Sequence, residues 1–520
     1  MNEKKISIEK KCILGVNTKI RSVQLLDDER LLYACGDNVL IWNKQTKNQT
    51  FLFQCSGGEE LVSLESISCR KQIAVSTKKN GHFYILIFDA LSLKRSKKII
   101  KLHSDDGSAV ISLSFSGDGK QCLVLHDAPH YHLILWSIEK STKIMATVRL
   151  ATPSGKLIRR ATMKTSSNSK DILVCVSGDG IVRFFKVADS IFRPITVNLC
   201  REQQNYIVQC WLSHDEVILG TDRNELIVMR NFIETDVVPL TWSQSITALV
   251  PFSHGVVVGG SQGSVCLCNC LDEHSNTLTL SKTMSLDKEE TEILAIDTAE
   301  TEDVILCLLS NGRIATCPLS DNNIPIGEDI VPWFHKVGKD GSTVKCIDTC
   351  ILKPIVATAG SDRSLRVWNF DTNNFELMTK FDHEIVSLSL HPSSLQILIC
   401  FEQYAEVSYI YNGSLSTVWR LDVETNGCSC FSHGGQYFAL VSGVYVQVYC
   451  SYKLDLICTL RGHSAPIKSL SWRKDDQEIA TIGSDNVICM WGISNGKRKL
   501  RYGENRQISS LTNKRIIFYC

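Results

Sequence analysis

The 520-residue chain has almost no net charge: 56 Lys and Arg stand against 55 Asp and Glu, leaving +1. That balance removes the electrostatic argument for broad nucleic-acid binding, which needs a cation excess to meet phosphates. Long apolar runs are also missing. Nothing approaches the roughly 18 apolar residues of a membrane span, and Met1-Asn2-Glu3-Lys4-Lys5 is not followed by the apolar core of a secretory signal. Proline is scarce, at 11 against 31 glycines, which suits many turns and few forced breaks. No sustained heptads mark a coiled coil, and no long helix is evident. The motifs of chemistry are absent as well: no phosphate-cradling Gly-rich loop ending in Lys-Ser or Lys-Thr, no Gly-x-Ser-x-Gly, no His-Glu-x-x-His. Gly259-Gly260-Ser261-Gln262-Gly263 reads as a hairpin turn that opens no helix. The expectation is a chain without catalytic residues, cofactor, metal, nucleic acid or membrane span.

What the sequence does have is cysteine, 22 in all. Without a secretory signal these read as reduced thiols of an intracellular protein. Cys266, Cys268 and Cys270 alternate along one strand face, as do Cys428 and Cys430, and both sets read as small apolar fillers rather than zinc ligands. His126, His130 and His132 surround Pro129; an exposed loop accounts for them as well as a metal does.

The organising feature is a repeated hairpin. A short polar or small-residue turn followed by an alternating apolar run appears at Cys35-Gly36-Asp37-Asn38, Lys79-Asn80-Gly81, Asp127-Ala128-Pro129 and Ser177-Gly178-Asp179-Gly180. It appears again at Thr221-Asp222-Arg223-Asn224, Ser261-Gln262-Gly263 and Ser310-Asn311-Gly312, each roughly 40 to 50 residues after the last. A polar, proline-containing stretch at Ser320-Asp321-Asn322-Asn323-Ile324-Pro325 reads as a linker. A second series follows, at Ser361-Asp362-Arg363-Ser364, near Glu402-Gln403-Tyr404, at Ser442-Gly443 and at Gly483-Ser484-Asp485-Asn486. The clearest unit runs from Gly462-His463 to Trp491.

A Gly-His start and a Trp finish around such a hairpin resemble the WD40 repeat, a four-stranded blade that cannot bury both faces alone. The fold expected is all-β, with tandem WD40 β-propellers. Residues 1–325 form a seven-bladed first ring, and residues 326–520 form an incomplete or atypical second ring of about four blades plus a partial one. A half-built ring would expose strand edges. Continuation past Cys520, completion by another protein, or closure through the strands around Ser509–Leu511 and Ile516–Tyr519 are the alternatives, and an incomplete ring is favoured. The resemblance implies a buried structural tetrad of His463, Thr481, Asp485 and Trp491, and a second set built on His335, Asp362 and Trp368. Two basic runs, Lys94, Arg95, Lys97 and Lys98 and then Lys497, Arg498, Lys499 and Arg501, fall where outer-strand loops are expected. They are candidate contacts for an acidic partner such as a tubulin tail.

The likeness extends beyond generic WD40. Ala128-Pro129-His130-Tyr131-His132-Leu133-Ile134-Leu135-Trp136, Cys210-Trp211-Leu212-Ser213 and Lys353-Pro354-Ile355-Val356-Ala357-Thr358 resemble the cilia- and flagella-associated protein fifty-seven family, as does Leu460-Arg461-Gly462-His463. The resemblance implies a non-enzymatic scaffold of the motile axoneme, cytoplasmic before assembly. It would dock inner dynein arm, nexin-dynein regulatory or radial spoke base components on the tubulin doublet by protein–protein contacts. The family's long coiled-coil half has no counterpart in this sequence, which leaves the docking platform as the part in view. A cytosolic WD40 adaptor in ribosome biogenesis or ubiquitin ligation is the alternative.

Overall fold

The structure is a computed structural model. It describes residues 13 and 15–518 apart from 68–70, 103–109, 128–130, 139–142, 154, 166–170, 199–203, 214, 241, 243, 271–277, 287–290, 320–327, 330–343, 351, 373, 412, 426, 504–507 and 512–515. The described residues form strands and turns with no helix.

The chain divides into two compact units, Met1–Phe334 and His335–Cys520. The first holds seven four-stranded antiparallel sheets, each a meander whose strands pair in chain order. We number them sheets 1 to 7, at residues 23–54, 59–102, 110–150, 158–195, 206–239, 246–285 and 293–329. The second unit holds four more, sheets 8 to 11, at residues 344–380, 385–421, 429–461 and 467–503, and then a two-stranded sheet at 508–518. Sheet 7 takes its fourth strand from Glu328–Asp329, beyond the polar linker stretch, by pairing Ala315 with Asp329 and Thr316 with Glu328.

Burial follows the strand order. Second strands are largely apolar because both of their faces are covered. Ile172–Gly178 and Gly255–Gly260 are buried at every position, and Val304–Leu309 at all but the first. Fourth strands face solvent on one side, so Lys143–Leu150 and Ser414–Leu421 keep polar residues between apolar ones. The turn between second and third strands needs a left-handed residue, which Gly36 (φ 56°), Gly180 (φ 65°), Asn224 (φ 64°) and Asn486 (φ 56°) supply. A bulge recurs near the start of the first strand, as at Ile158/Arg160, Ile246/Ala248 and Ile467/Ser469, and increases the local twist.

Each core lies between two consecutive sheets. Leu32, Ile41, Leu64 and Val75 join sheets 1 and 2; Leu133, Leu135, Val174 and Phe185 join sheets 3 and 4. The series closes on itself in the first unit: Leu25, Tyr33 and Trp42 of sheet 1 pack with Leu294, Leu306 and Leu308 of sheet 7. At that joint Leu25 donates its backbone N–H to Asp297 Oδ2 at 2.7 Å. In the second unit, cores join sheet 8 to 9, 9 to 10 and 10 to 11. On the other face of sheet 8, Val344, Ile347, Phe375 and Met378 are exposed.

Small polar side chains on or beside the first strands tie several sheets to the next. Ser22 Oγ donates to the Leu64 carbonyl (2.6 Å) and Thr247 Oγ1 to that of Ile293 (2.6 Å). Met163 donates to Ser114 Oγ (3.2 Å), and Leu390 to Asp348 Oδ2 (2.7 Å). Cys346 and Cys428 do the same with thiols, donating to the Val386 and Lys468 carbonyls at 3.0 Å each.

Replacing Asp297 with Ala is expected to remove its charge-assisted bond to the Leu25 amide at the joint and cost about 1–3 kcal/mol. Hydrogen exchange should rise at residues 23–25 and 293–298 and stay unchanged at residues 158–165 on the far side. Unchanged protection of Leu25 would show that closure does not depend on this carboxylate.

Candidate functional site

The best-formed polar constellation lies inside sheet 11. Ile467–Trp472, Glu478–Gly483 and Val487–Gly492 are its first three strands, and the register pairs Ile479 with Trp491 and Thr481 with Cys489. Trp491 Nε1 donates to Thr481 Oγ1 at 2.8 Å, and Thr481 Oγ1 lies 2.8 Å from His463 Nε2. His463 Nδ1 lies 3.1 Å from both oxygens of Asp485. The polarity follows from the ends. An indole N–H can only donate and a carboxylate only accept, so Thr481 passes its proton toward Nε2 and the imidazole gives Nδ1–H to Asp485. His463, Thr481 and Trp491 are buried.

Asp485 anchors the chain at the turn. Ser464 N–H donates to Oδ2 (2.9 Å) and Val487 N–H to Oδ1 (3.2 Å). Burial works against its charge, but the Ser464 amide, the His463 ring and the Val487 amide outweigh it and hold the carboxyl below its ordinary range. The polar atoms of the set bond to one another and to the turn backbone, which ties the strands of sheet 11 together from within.

Of the second set, His335 lies outside the described residues. Asp362 and Trp368 occupy the positions that Asp485 and Trp491 hold in sheet 11, but their described contacts differ. Asp362 accepts from Ser364 Oγ (2.7 Å) and from Arg366 Nη2 (3.1 Å), while Trp368 packs edge-on against Phe375 at 4.8 Å. Arg366 is buried, and that burial pulls its guanidinium down against the pull of Asp362. Sequence reading did not single out Thr358. It pairs with Arg366 as Thr481 pairs with Cys489, while Val356 pairs with Trp368 as Ile479 does with Trp491. The threonine shortly before the turn's Gly-Ser-Asp was the available signal.

The two basic runs sit differently from the loop expectation. Arg95–Leu102 and Arg498–Gly503 are the fourth strands of sheets 2 and 11, so only Lys94 and Lys497 remain in turns. Lys499 is not free for a partner, because its Nζ lies 2.6 Å from Glu478 Oε1.

Among the described residues no three His, Cys, Asp or Glu side chains come together as a metal-binding group. Cys266 and Cys268 are buried on one strand, and burial pushes their thiols up to about 11 and about 12. His126 is buried, His130 lies outside the described residues, and His132 Nε2 accepts from Arg149 Nε at 3.0 Å.

Comparison with known proteins agrees with this architecture. The WD domain, G-beta repeat family matches residues 335–369 and 454–492. Cilia- and flagella-associated protein 57 of Mus musculus is 23% identical over 96% of this chain and 44% of its own length. Cilia- and flagella-associated protein 57 A of Tetrahymena thermophila is 22% identical over 98% of this chain and 44% of its own. Cilia- and flagella-associated protein 44 of Mus musculus is 22% identical over 91% of this chain and 25% of its own. The chain therefore spans less than half the length of these relatives.

Replacing Thr481 with Val should leave the Trp491 and His463 nitrogens unpaired and cost about 1–3 kcal/mol for each. For Asp485 the sign is set by its lowered folded-state pKa. Its contribution is full above the ordinary aspartate range near ~3.9 and is lost as pH falls through the lower folded value. Asp485→Asn should accelerate hydrogen exchange across 478–492 at neutral pH and converge with the parent chain in acid. A gap that persists unchanged in acid would contradict the assignment.

Proposed function

We propose, for a chain that belongs to the WD-repeat cilia- and flagella-associated protein 57 family, that it is a non-enzymatic docking scaffold of the motile axoneme. Its partners are inner dynein arm, nexin-dynein regulatory or radial spoke base components and the tubulin doublet, and its assembled location is the cilium or flagellum. The observation that carries this reading is similarity along nearly the whole chain to proteins named for cilia and flagella, 96% and 98% of it in the two cases above. The fold supports it physically. When polar side chains inside the sheets are spent on one another, as in sheet 11, the variable surface left for recognition is the turns at the two ends of each sheet. Turn surfaces of this kind bind other macromolecules and build no enclosed reaction chamber.

The basic runs fit the same role in a limited way. Lys94, Lys497 and Arg498 can offer cations at the outer rim of sheets 2 and 11 to an acidic surface, where long-range attraction speeds encounter more than it holds the complex.

The test is fractionation of ciliated or flagellated cells that express the tagged chain. The expected result is retention in demembranated axonemes, release only at high salt, and cross-links to dynein-arm or doublet components. Recovery solely in the soluble cell body, with pre-ribosomal or ubiquitin ligase subunits as the main partners, would replace this reading with a cytosolic adaptor.

A further inference from the structure

One joint of the first unit holds polar side chains that lack the use their counterparts have elsewhere. At four joints the same position of the first strand accepts a backbone N–H from the first strand of the next sheet: Ser114 from Met163, Asp297 from Leu25, Asp348 from Leu390 and Ser389 from Phe431. That position lies a fixed distance beyond the bulged residues Val110, Ile293, Val344 and Ile385. In sheet 2 the bulge begins at Leu61, and the corresponding residue is Glu65. Glu65 forms no hydrogen bond with a described residue. The register shows where its side chain goes, because directly opposed residues of paired strands share a face. Glu65 opposes Ala74, Ser63 opposes Ser76, and Ser76 opposes Ile85. Ala74 and Ile85 belong to the core between sheets 2 and 3, with Leu113, Cys122 and Trp136 of sheet 3. Ser63, Ser76 and Glu65 therefore enter that core. Ser76 is fully buried, and Ser63 Oγ, Ser76 Oγ and Trp136 Nε1 all lie out of water with no hydrogen-bond partner. Polar atoms stranded this way in one apolar core call for a polar guest, either ordered water or an added proton.

The groups around Glu65 favour its neutral form. From sheet 3 it meets Cys122, whose thiol is held well above its ordinary range by burial first and by Glu65 second, and so stays uncharged. His126, at the end of the same strand, is buried too. From sheet 4 the Arg160 guanidinium favours the carboxylate, but burial outweighs it and raises Glu65 to about 7. Along its own strand the nearest acids, Glu59 and Glu60, stand at the far end opposite Lys79 and Lys78. A neutral carboxyl has one O–H to give and a carbonyl to accept, which suits two unpartnered hydroxyls, whereas a carboxylate brings a charge into an apolar core. We propose that the core between sheets 2 and 3 is a proton-operated joint: Glu65 holds a proton that it shares with the Ser63 and Ser76 hydroxyls, directly or through ordered water, and loss of that proton loosens sheet 2 from sheet 3. The sign follows from the raised folded-state value. The joint is tightest below the ordinary glutamate range near ~4.3, weakens as pH rises, and has lost this contribution above about 7. The device lies in the first unit and holds whether or not the ciliary reading does.

The experiment is hydrogen exchange of the full chain at pH 6 and pH 8, corrected for the pH dependence of intrinsic exchange. Protection in residues 59–66 and 110–115 should fall about tenfold between the two, while residues 293–298 at the far joint should hold steady. Glu65→Gln, which keeps the shape and removes the titration, should be as protected at pH 8 as the parent is at pH 6. Infrared difference spectra between the same two conditions should show the band of a protonated carboxyl group in the parent and lose it in Glu65→Gln. Ser63→Ala/Ser76→Ala should move the midpoint of the parent's pH transition. The parent's own profile needs no variant to fold: equal protection at pH 6 and pH 8 overturns the proposal. So does a Glu65→Gln chain that keeps the tenfold drop, which would pass the titration to His126, or a midpoint that the serine double variant leaves where it was.

Discussion

The constraint behind the whole structure is that each four-stranded sheet is apolar on both faces. A face left in water forfeits the burial of several Val, Leu and Ile side chains, each worth about 1.5–3 kcal/mol when fully covered. One sheet cannot satisfy this, nor can two, since a pair leaves two outer faces bare. A series that turns back on itself can. In the first unit it does: Leu25, Tyr33 and Trp42 of sheet 1 find their cover in Leu306 and Leu308 of sheet 7. The twist that allows this comes from bulges in the first strands, repeated from sheet to sheet at the same point.

Hydrophobic faces alone would let neighbouring sheets slide. The side chains that prevent it are short and polar, and they sit on the first strands, where sheets approach most closely. Ser114 reaching Met163 and Asp348 reaching Leu390 fix register by direction as well as by energy, because each replaces a lost water contact with one specific backbone N–H donor. Thr162 shows how the same chemistry recurs in another guise. It accepts from both Gln209 Nε2 and Trp211 Nε1 of the next sheet at 2.9 Å, so a threonine–indole pair joins two sheets there, whereas in sheet 11 Thr481 and Trp491 join two strands.

This division explains what could be read in the sequence. The turns and their apolar flanks are local, so Gly36, Gly180 and Asp485 announced their hairpins without any long-range information. The tetrad of sheet 11 was legible because its four members fall within one repeat. Asp297 was not, since its partner Leu25 lies 272 residues away and nothing near either residue hints at the other. The cysteines were half legible. Cys268 fills core space as its alternation suggested, but Cys346 and Cys428 also donate to the next sheet, a role that depends on a neighbour roughly 40 residues on. The basic runs misled because a solvated fourth strand and a solvated loop have the same composition; only pairing such as Ile488 with Tyr502 separates them.

The two units consequently distribute their stability in different ways. In a closed ring every sheet has two covered faces, so no sheet is the natural first to open. In the second unit the described cores join sheets 8 to 11 in a line, and Val344, Ile347, Phe375 and Met378 of sheet 8 lack the cover that Val23 and Leu25 enjoy in sheet 1. A linear stack behaves as a sum of sheets and nearest-neighbour joints. Sheet 11 meets the strand Ile508–Leu511 beyond it, and the fully bonded set around His463 ties its strands and turns together from within. In sheet 8 the described contacts at the matching positions include Arg366 with Asp362 and Trp368 with Phe375. A buried ion pair is a poor substitute for a covered face, because desolvation offsets much of its attraction. The leading face of sheet 8, with Val344, Ile347, Phe375 and Met378 exposed, is therefore where local opening of the described second unit should begin.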